Sequence, residues 1–302
     1  MEMNRRQFLS TTIASAAGVA LAGNVLAAEA PNPFRTVSLG KTGIRSSMIG
    51  LGTGMSGGMR QSNHTRMGEA KFDALVKGAW ERGIRFFDAA DLYGTHRFLA
   101  RALKGIPRDQ YVISTKIWVR GGGIPEKERP DANVVIDRFR KELNTDYIDL
   151  VLIHCMSDSD WTEKQKRQMD IMDEVKSKGI IKAHGVSIHC ERGDLSALKA
   201  CAASPWVDSV HVRLNHEGVA MDGKPADVAP VVKQIHEAGK GVVAMKVVGE
   251  GRFKTDERKN KSIEFVTGLN AVDVMVVGFE RVELIDDFSK RVAAVMQAQA
   301  NA

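Results

Sequence analysis

Cysteine is scarce in this chain. Cys155, Cys190 and Cys201 are the whole complement in 302 residues, too few and too odd in number for a disulfide framework. The fold must therefore be held by its core. Long apolar runs are missing beyond the N-terminus, so no later segment reaches the roughly eighteen consecutive apolar residues of a membrane span. Blocks of one charge sign are missing as well. The 43 Lys and Arg are interleaved with 37 Asp and Glu, for a net charge of +6, and nothing in that pattern reads as a nucleic-acid surface. No low-complexity linker divides the chain, which argues for one folded domain after the N-terminal segment. There is also no serine or cysteine elbow and no metal-ligand spacing.

What is present begins with a leader. Asn4-Arg5-Arg6-Gln7-Phe8-Leu9-Ser10 precedes a mild apolar run from Thr11 to Leu26, which closes on Val25-Leu26-Ala27-Ala28. A basic start, a moderate apolar middle and a small-residue end make a secretory signal. The paired arginines before Gln-Phe-Leu resemble a twin-arginine signal, whose route carries folded proteins. The reading is a signal peptide over residues 1–28, cleaved after Ala27 or Ala28, and a folded domain over residues 29–302. Export to the periplasm follows, with the export machinery as a partner. An uncleaved signal tethering the protein to the membrane is the alternative.

The rest alternates. Arg35 to Ile44 reads as a hairpin turning at Gly40-Lys41-Thr42-Gly43. Short apolar strands then follow at Met48–Gly52, Ile84–Phe87, Tyr111–Thr115, Ile148–Ile153, Ala183–Ser187, Val207–Val212, Val242–Met245 and Val274–Val277. Helical periodicity separates them. Phe72, Leu75, Val76 and Ala79 share one face of a helix over Gly68–Arg82, and a helix over Thr162–Lys178 should stop at Gly179. Strict alternation of unbroken apolar strands with helices predicts a parallel sheet buried on both faces. Eight units in about 260 residues predict an α/β fold of the (β/α)8 TIM-barrel type, with an N-terminal β-hairpin. A doubly wound open sheet is the competitor, but no Gly-x-Gly-x-x-Gly follows the first strand to support it.

Parallel strands put their carboxyl ends on one rim. There the second strand ends at Asp88 with Tyr93 just beyond, the third at Lys116 and the fourth at His154. Taken singly, Asp88 caps a turn, Tyr93 packs, Lys116 is solvated and His154 is a satisfied core histidine. Four complementary titratable groups on three successive strand ends are harder to dismiss. A phenol with a pKa near 10 needs help to exchange protons at neutrality. A nearby ammonium would lower that pKa, and a carboxylate would anchor the ammonium. An imidazole beside the phenol could donate to a carbonyl oxygen. With no nucleophile in the set, the chemistry it suits is protonating or deprotonating oxygen while hydride moves at carbon.

At this point the chain resembles the aldo-keto reductase family, from Arg35 to about Phe288. The matching segments are Leu39-Gly40-Lys41-Thr42-Gly43, the stretch from Phe87 to Gly94, Ser114-Thr115-Lys116, the stretch from Leu143 to Leu150, Ile153-His154, and Gly179 with His184-Gly185-Val186-Ser187. The resemblance implies that Asp88, Tyr93, Lys116 and His154 are catalytic, with Tyr93 as general acid. It also implies NAD(P)H as cofactor and a small carbonyl or alcohol substrate, including sugars.

In the cofactor half the family pattern loosens. Ile188 follows Ser187 where the family usually has Asn, and His211 stands for a usual Gln. Met245-Lys246 replaces a common Tyr-Ser; Met245 could cover the nicotinamide and Lys246 could reach the pyrophosphate. Gly278, Phe279 and Leu284 sit where NADP-dependent members carry Lys, Ser and Arg, and Glu280 adds repulsion toward a phosphate. Arg281 could compensate, and Asp287 could accept from the adenine amine. The resemblance thus implies a nicotinamide cofactor without choosing NAD or NADP. Export of a folded chain adds the expectation of a cofactor loaded before crossing and then retained, which suits redox-neutral isomerase or transhydrogenating turnover. A non-catalytic binding protein on the same scaffold is the reading from another class. His154-Cys155 and His189-Cys190 offer a metal or a regulatory disulfide, with burial of the thiols the stronger expectation. The sequence leaves substrate and oligomeric state open.

Overall fold

The computed structural model describes residues 31–190 and 193–301; the predicted signal, residues 1–28, lies outside them. Strands β1 (Thr36–Ser38) and β2 (Arg45–Ser47) form an antiparallel hairpin. The barrel strands are β3 (Ile49–Gly52), β4 (Phe86–Asp88), β5 (Val112–Ile117), β6 (Ile148–Met156), β7 (Ile181–Ile188), β8 (Ser209–Arg213), β9 (Gly241–Met245) and β10 (Val274–Val277). All neighbours among these eight are parallel, and β10 pairs with β3 to close the ring. Closure removes both sheet edges and rules out the open, doubly wound alternative.

Each barrel strand is followed by a helix: Glu69–Glu81, His96–Ala102, Ala132–Leu143, Lys166–Ser177, Ser196–Ala203, Pro225–Glu237, Asp256–Gly268 and Val282–Ala300. The apolar stripe read from the first is the face it buries, with Phe72, Leu75, Val76 and Ala79 at 2% exposure or less. The expected helix over Thr162–Lys178 is instead two, Trp161–Lys164 and Lys166–Ser177. Trp161 is buried with its indole Nε1 donating to the Ala197 carbonyl, which ties the first turn down while the second piece packs Met169, Met172 and Val175. It ends where predicted, with Gly179 at φ +71°, a conformation that costs glycine little. No described helix is long and apolar enough to cross a membrane.

Two apolar layers result. One lies between strands and helices. The other fills the barrel with Phe86, Val112, Leu150, Leu152, Val243 and Val274, joined by Leu39 and Ile44 from the hairpin. The Lys41 amide donates to the Gly239 carbonyl, and the Gly40 amide to Asp273, just ahead of β9 and β10. The hairpin therefore plugs the amino-terminal end of the barrel. The carboxyl-terminal end is left for chemistry.

Candidate active site

Asp88 is the last residue of β4 and lies in register with Ser114 on β5; Lys116, two residues on, is in register with Leu152 on β6. This stagger brings their side chains together inside the rim. Lys116 is wholly buried and its Nζ donates to both carboxylate oxygens of Asp88 at 2.6 Å and to the Ala89 carbonyl at 2.9 Å. All three ammonium protons are thereby used. Burial pushes the Asp88 carboxyl up and the Lys116 ammonium down, and each partner's charge opposes the shift in the other. Removing either would strand a buried charge, the costly case for such pairs.

Tyr93 follows at the end of a short 3-10 turn, Asp91–Tyr93. Its hydroxyl lies 3.4 Å from Nε2 of His154, with the rings edge-on at 5.5 Å. The Lys116 ammonium sits 5.2 Å from the phenol ring centre and makes no hydrogen bond to its oxygen among the described residues. The expected ammonium-assisted lowering of the phenol pKa is accordingly not what this geometry produces. Burial first, then Asp88 and Cys155, hold Tyr93 well above the ordinary tyrosine value. The phenol is thus kept protonated, as a proton donor must be. His154 is pushed well below the ordinary imidazole value, by burial first and then by Lys116, His189 and His211. A neutral imidazole can donate one hydrogen bond to an oxygen without adding charge.

Beside these groups a cleft of about 380 Å³ opens, within the range of ligand sites. Asp88 and Tyr93 line it together with Met245, Lys246, Gly278, Arg281 and Asp287. Five of the seven residues expected to hold the cofactor thus lie along the same cleft as Asp88 and Tyr93. The other two lie deeper. Ser187 Oγ accepts from the Cys155 amide at 2.9 Å and so secures the irregular end of β6, where Cys155 has φ +61°. His211 is wholly buried, its Nδ1 is 3.6 Å from Asp88, and neither ring nitrogen has a hydrogen-bond partner among the described residues.

The cleft contains groups to which the sequence assigned no ligand role. Met55 packs where a side chain at Gly278 would sit, since a Cβ there would be 2.4 Å from Met55 Cγ. Glu250 also lines the cleft and pairs with Lys246. Lys254 and Lys259 line its outer part. The Gly249-Glu250-Gly251 turn after β9 was a visible signal, but the lysines fall in a mixed polar run that reads as an ordinary helix surface. Asp287 is bound by Arg291 at 2.6 Å and Lys259 at 3.4 Å, and its carboxyl is held low chiefly by Arg291. Cys155 and Cys190 are buried free thiols, pushed up to about 11 and about 12. Among the described residues no group of three potential ligands could hold a metal.

A closed (β/α)8 barrel with an acid–base set on its carboxyl-terminal rim, beside a cleft, is a recognisable class of protein. The chain belongs to the Aldo/keto reductase family, whose profile matches residues 48–292. Methylglyoxal reductase DkgB of Salmonella typhimurium is 33% identical over 116 residues, which are 38% of this chain and 41% of that protein. The NADH-specific methylglyoxal reductase of Escherichia coli is 28% identical over 174 residues, 51% of this chain and 52% of that one. The chain spans about half the length of these curated relatives, or less. Among solved structures, the holo form of aldo-keto reductase AKR11C1 from Bacillus halodurans superposes with a TM-score of 0.66 at 20% identity, covering 86% of this chain and 91% of that one. The Klebsiella pneumoniae aldo/keto reductase in complex with NADP and acetate superposes at 0.58 with 17% identity, covering 85% and 89%. These two likenesses concern the fold.

Proposed function

We propose that the protein is an NAD(P)-dependent oxidoreductase of small aldehydes, ketones or the matching alcohols. The observation that carries this reading is the Tyr93 hydroxyl beside neutral His154, above the buried Lys116–Asp88 pair and open to the cleft. The residues lining the cleft suit a dinucleotide. They include Lys246 and Arg281 for phosphates, the latter at the amino end of the 19-residue helix Val282–Ala300, where backbone amides favour anions. Met245 offers an apolar face in the cleft, and the ring nitrogens of buried His211 have no hydrogen-bond partner among the described residues.

A dihydronicotinamide held along the cleft by Met245, Lys246 and Arg281 would supply hydride to the carbonyl carbon. The chain's own part is on the oxygen. His154 orients the carbonyl by a hydrogen bond, and Tyr93 passes its proton to the oxygen as negative charge develops there. The Lys116–Asp88 pair fixes the floor against which the phenol stands. Proton transfer from a positioned group contributes roughly 10²–10⁴ in rate. Steady-state assays with methylglyoxal and related aldehydes, following NADH or NADPH absorbance, test this. Turnover that is lost in Tyr93→Phe while dinucleotide fluorescence quenching persists supports it. No quenching by either dinucleotide would leave the binding-protein reading.

The named relatives point both ways on the cofactor, one being NADH-specific and one structure holding NADP. In this chain Lys254 and Arg281 line the cleft without carboxylate partners among the described residues, which favours a 2′-phosphate. Glu280 opposes it, though its carboxylate is engaged by Asn63 Nδ2 at 2.7 Å. Glu280→Gln should tighten NADPH relative to NADH several-fold; unchanged relative affinity would remove Glu280 from the discrimination.

The leader supports export by the twin-arginine route to the periplasm, and with it retention of a preloaded cofactor. Substituting both Arg5 and Arg6 by Lys should leave the protein in the cytoplasmic fraction. Native mass spectrometry of periplasmic protein should show a bound dinucleotide.

A further inference from the structure

We propose that the substrate carries an anionic group, a carboxylate or a phosphate, a short chain away from its reacting carbon, and that Arg120 receives it. The proposal rests on the oxidoreductase reading and names the substrate class of that site. Arg120 lies two residues beyond Trp118, whose ring stands edge-on to His154 at 5.3 Å. Its Nη1 donates to the carbonyl of Cys155, the residue after His154, at 3.0 Å. The guanidinium thus crosses from the end of β5 to the end of β6, one residue from the imidazole that orients the carbonyl. The far side of the same mouth is built alike. Arg213 Nη2 donates to the Cys190 carbonyl at 2.9 Å, one residue beyond His189, whose ring lies 6.4 Å from that of His154.

The cations around His189 differ in how they are balanced. Lys116 is matched by Asp88, Arg213 by Asp222 and Lys246 by Glu250. Arg120 has no carboxylate partner among the described residues. Among the described residues around His189, four cations against three carboxylates leave one positive charge unmatched, on an exposed fork suited to bidentate recognition of an oxyanion. The local field agrees with that count. His189 is driven down to about 3, by burial first and then by Arg213, Lys246, Lys116 and Arg120. An anionic group within reach of Arg120 would place the adjoining carbonyl against Tyr93 and His154. A neutral aldehyde of equal length would lack that anchor.

The test pairs charged and neutral substrates on the full chain: succinic semialdehyde against butanal, and glyceraldehyde 3-phosphate against glyceraldehyde. The charged member of at least one pair should have the higher kcat/KM by about tenfold or more, the value of a charge-assisted contact. Which pair shows it tells carboxylate from phosphate. In Arg120→Gln that ratio should fall about tenfold or more, through KM rather than kcat, and Arg120→Lys should restore part of it. A merely structural role would move both members of a pair together. Calorimetry with succinate and inorganic phosphate reads the site without turnover. If no aldehyde reacts but one of these anions binds the wild type and not Arg120→Gln, the activity reading falls and the anion site stands. Equal charged-to-neutral ratios in wild type and Arg120→Gln, or anion binding indifferent to the substitution, would overturn the proposal.

Discussion

The Tyr93 phenol is kept protonated by its surroundings, so the two reaction directions should differ in pH response. Reduction needs the phenol and oxidation needs the phenolate. Carbonyl reduction should stay level from about pH 6 to 9, with no step near the ordinary imidazole value of about 6.5, because His154 is already neutral there. Alcohol oxidation should climb as pH rises. A reduction profile with a clear ionisation near pH 6.5 would contradict the assignment of His154 as a neutral donor. Lys116 gives a second prediction. Lys116→Met would leave Asp88 without its partner and cost about 3–5 kcal/mol of stability. Urea unfolding would show it, and adding Asp88→Asn to that variant should recover part of the loss.

Between single residues and the whole barrel, close backbone approaches matter most. The loop after β3 packs on the Tyr93 ring so tightly that a Cβ at Gly54 would lie 2.4 Å from Cε2 and Cζ, and one at Gly57 2.6 Å from Cδ1. Gly54→Ala should therefore displace the phenol and lower kcat by tenfold or more on the scale expected of a misplaced acid, with little change in unfolding midpoint. An unaltered kcat would show that the ring has room to yield. At Gly185 the obstacle is backbone, since a Cβ would meet the Ser209 carbonyl oxygen at 1.8 Å between β7 and β8. Gly185→Ala should thus cost stability itself, by about 1–3 kcal/mol or more, as a lower urea midpoint at constant m-value.

Across the molecule, buried imidazoles couple stability to acid. His154 and His211 are held well below the ordinary value and His189 at about 3, each chiefly by burial. In the unfolded chain each would take up a proton below about pH 6.5. The unfolded state then binds more protons than the fold, so stability is complete above that pH and declines as pH falls toward 3. The urea midpoint should be lower at pH 5 than at pH 7.5, and equal midpoints would remove these imidazoles from the balance.

The alternation of strand and helix, the closure into eight units and the convergence of Asp88, Lys116 and His154 were legible in the chain because each follows from local pattern. An apolar run of strand length, a helix face and a polar residue at a strand end are properties of neighbours in sequence. Five cofactor-cleft residues were legible for the same reason, as strand ends or the turns after them. The direction in which Tyr93 is shifted was not, because it depends on where the Lys116 protons go, and they go to Asp88 and the Ala89 carbonyl. Nor was the role of Ser187, spent on the Cys155 amide, nor the charge of Arg120, unmatched among the described residues. Those depend on distances between residues far apart in the chain, set only when the barrel closes.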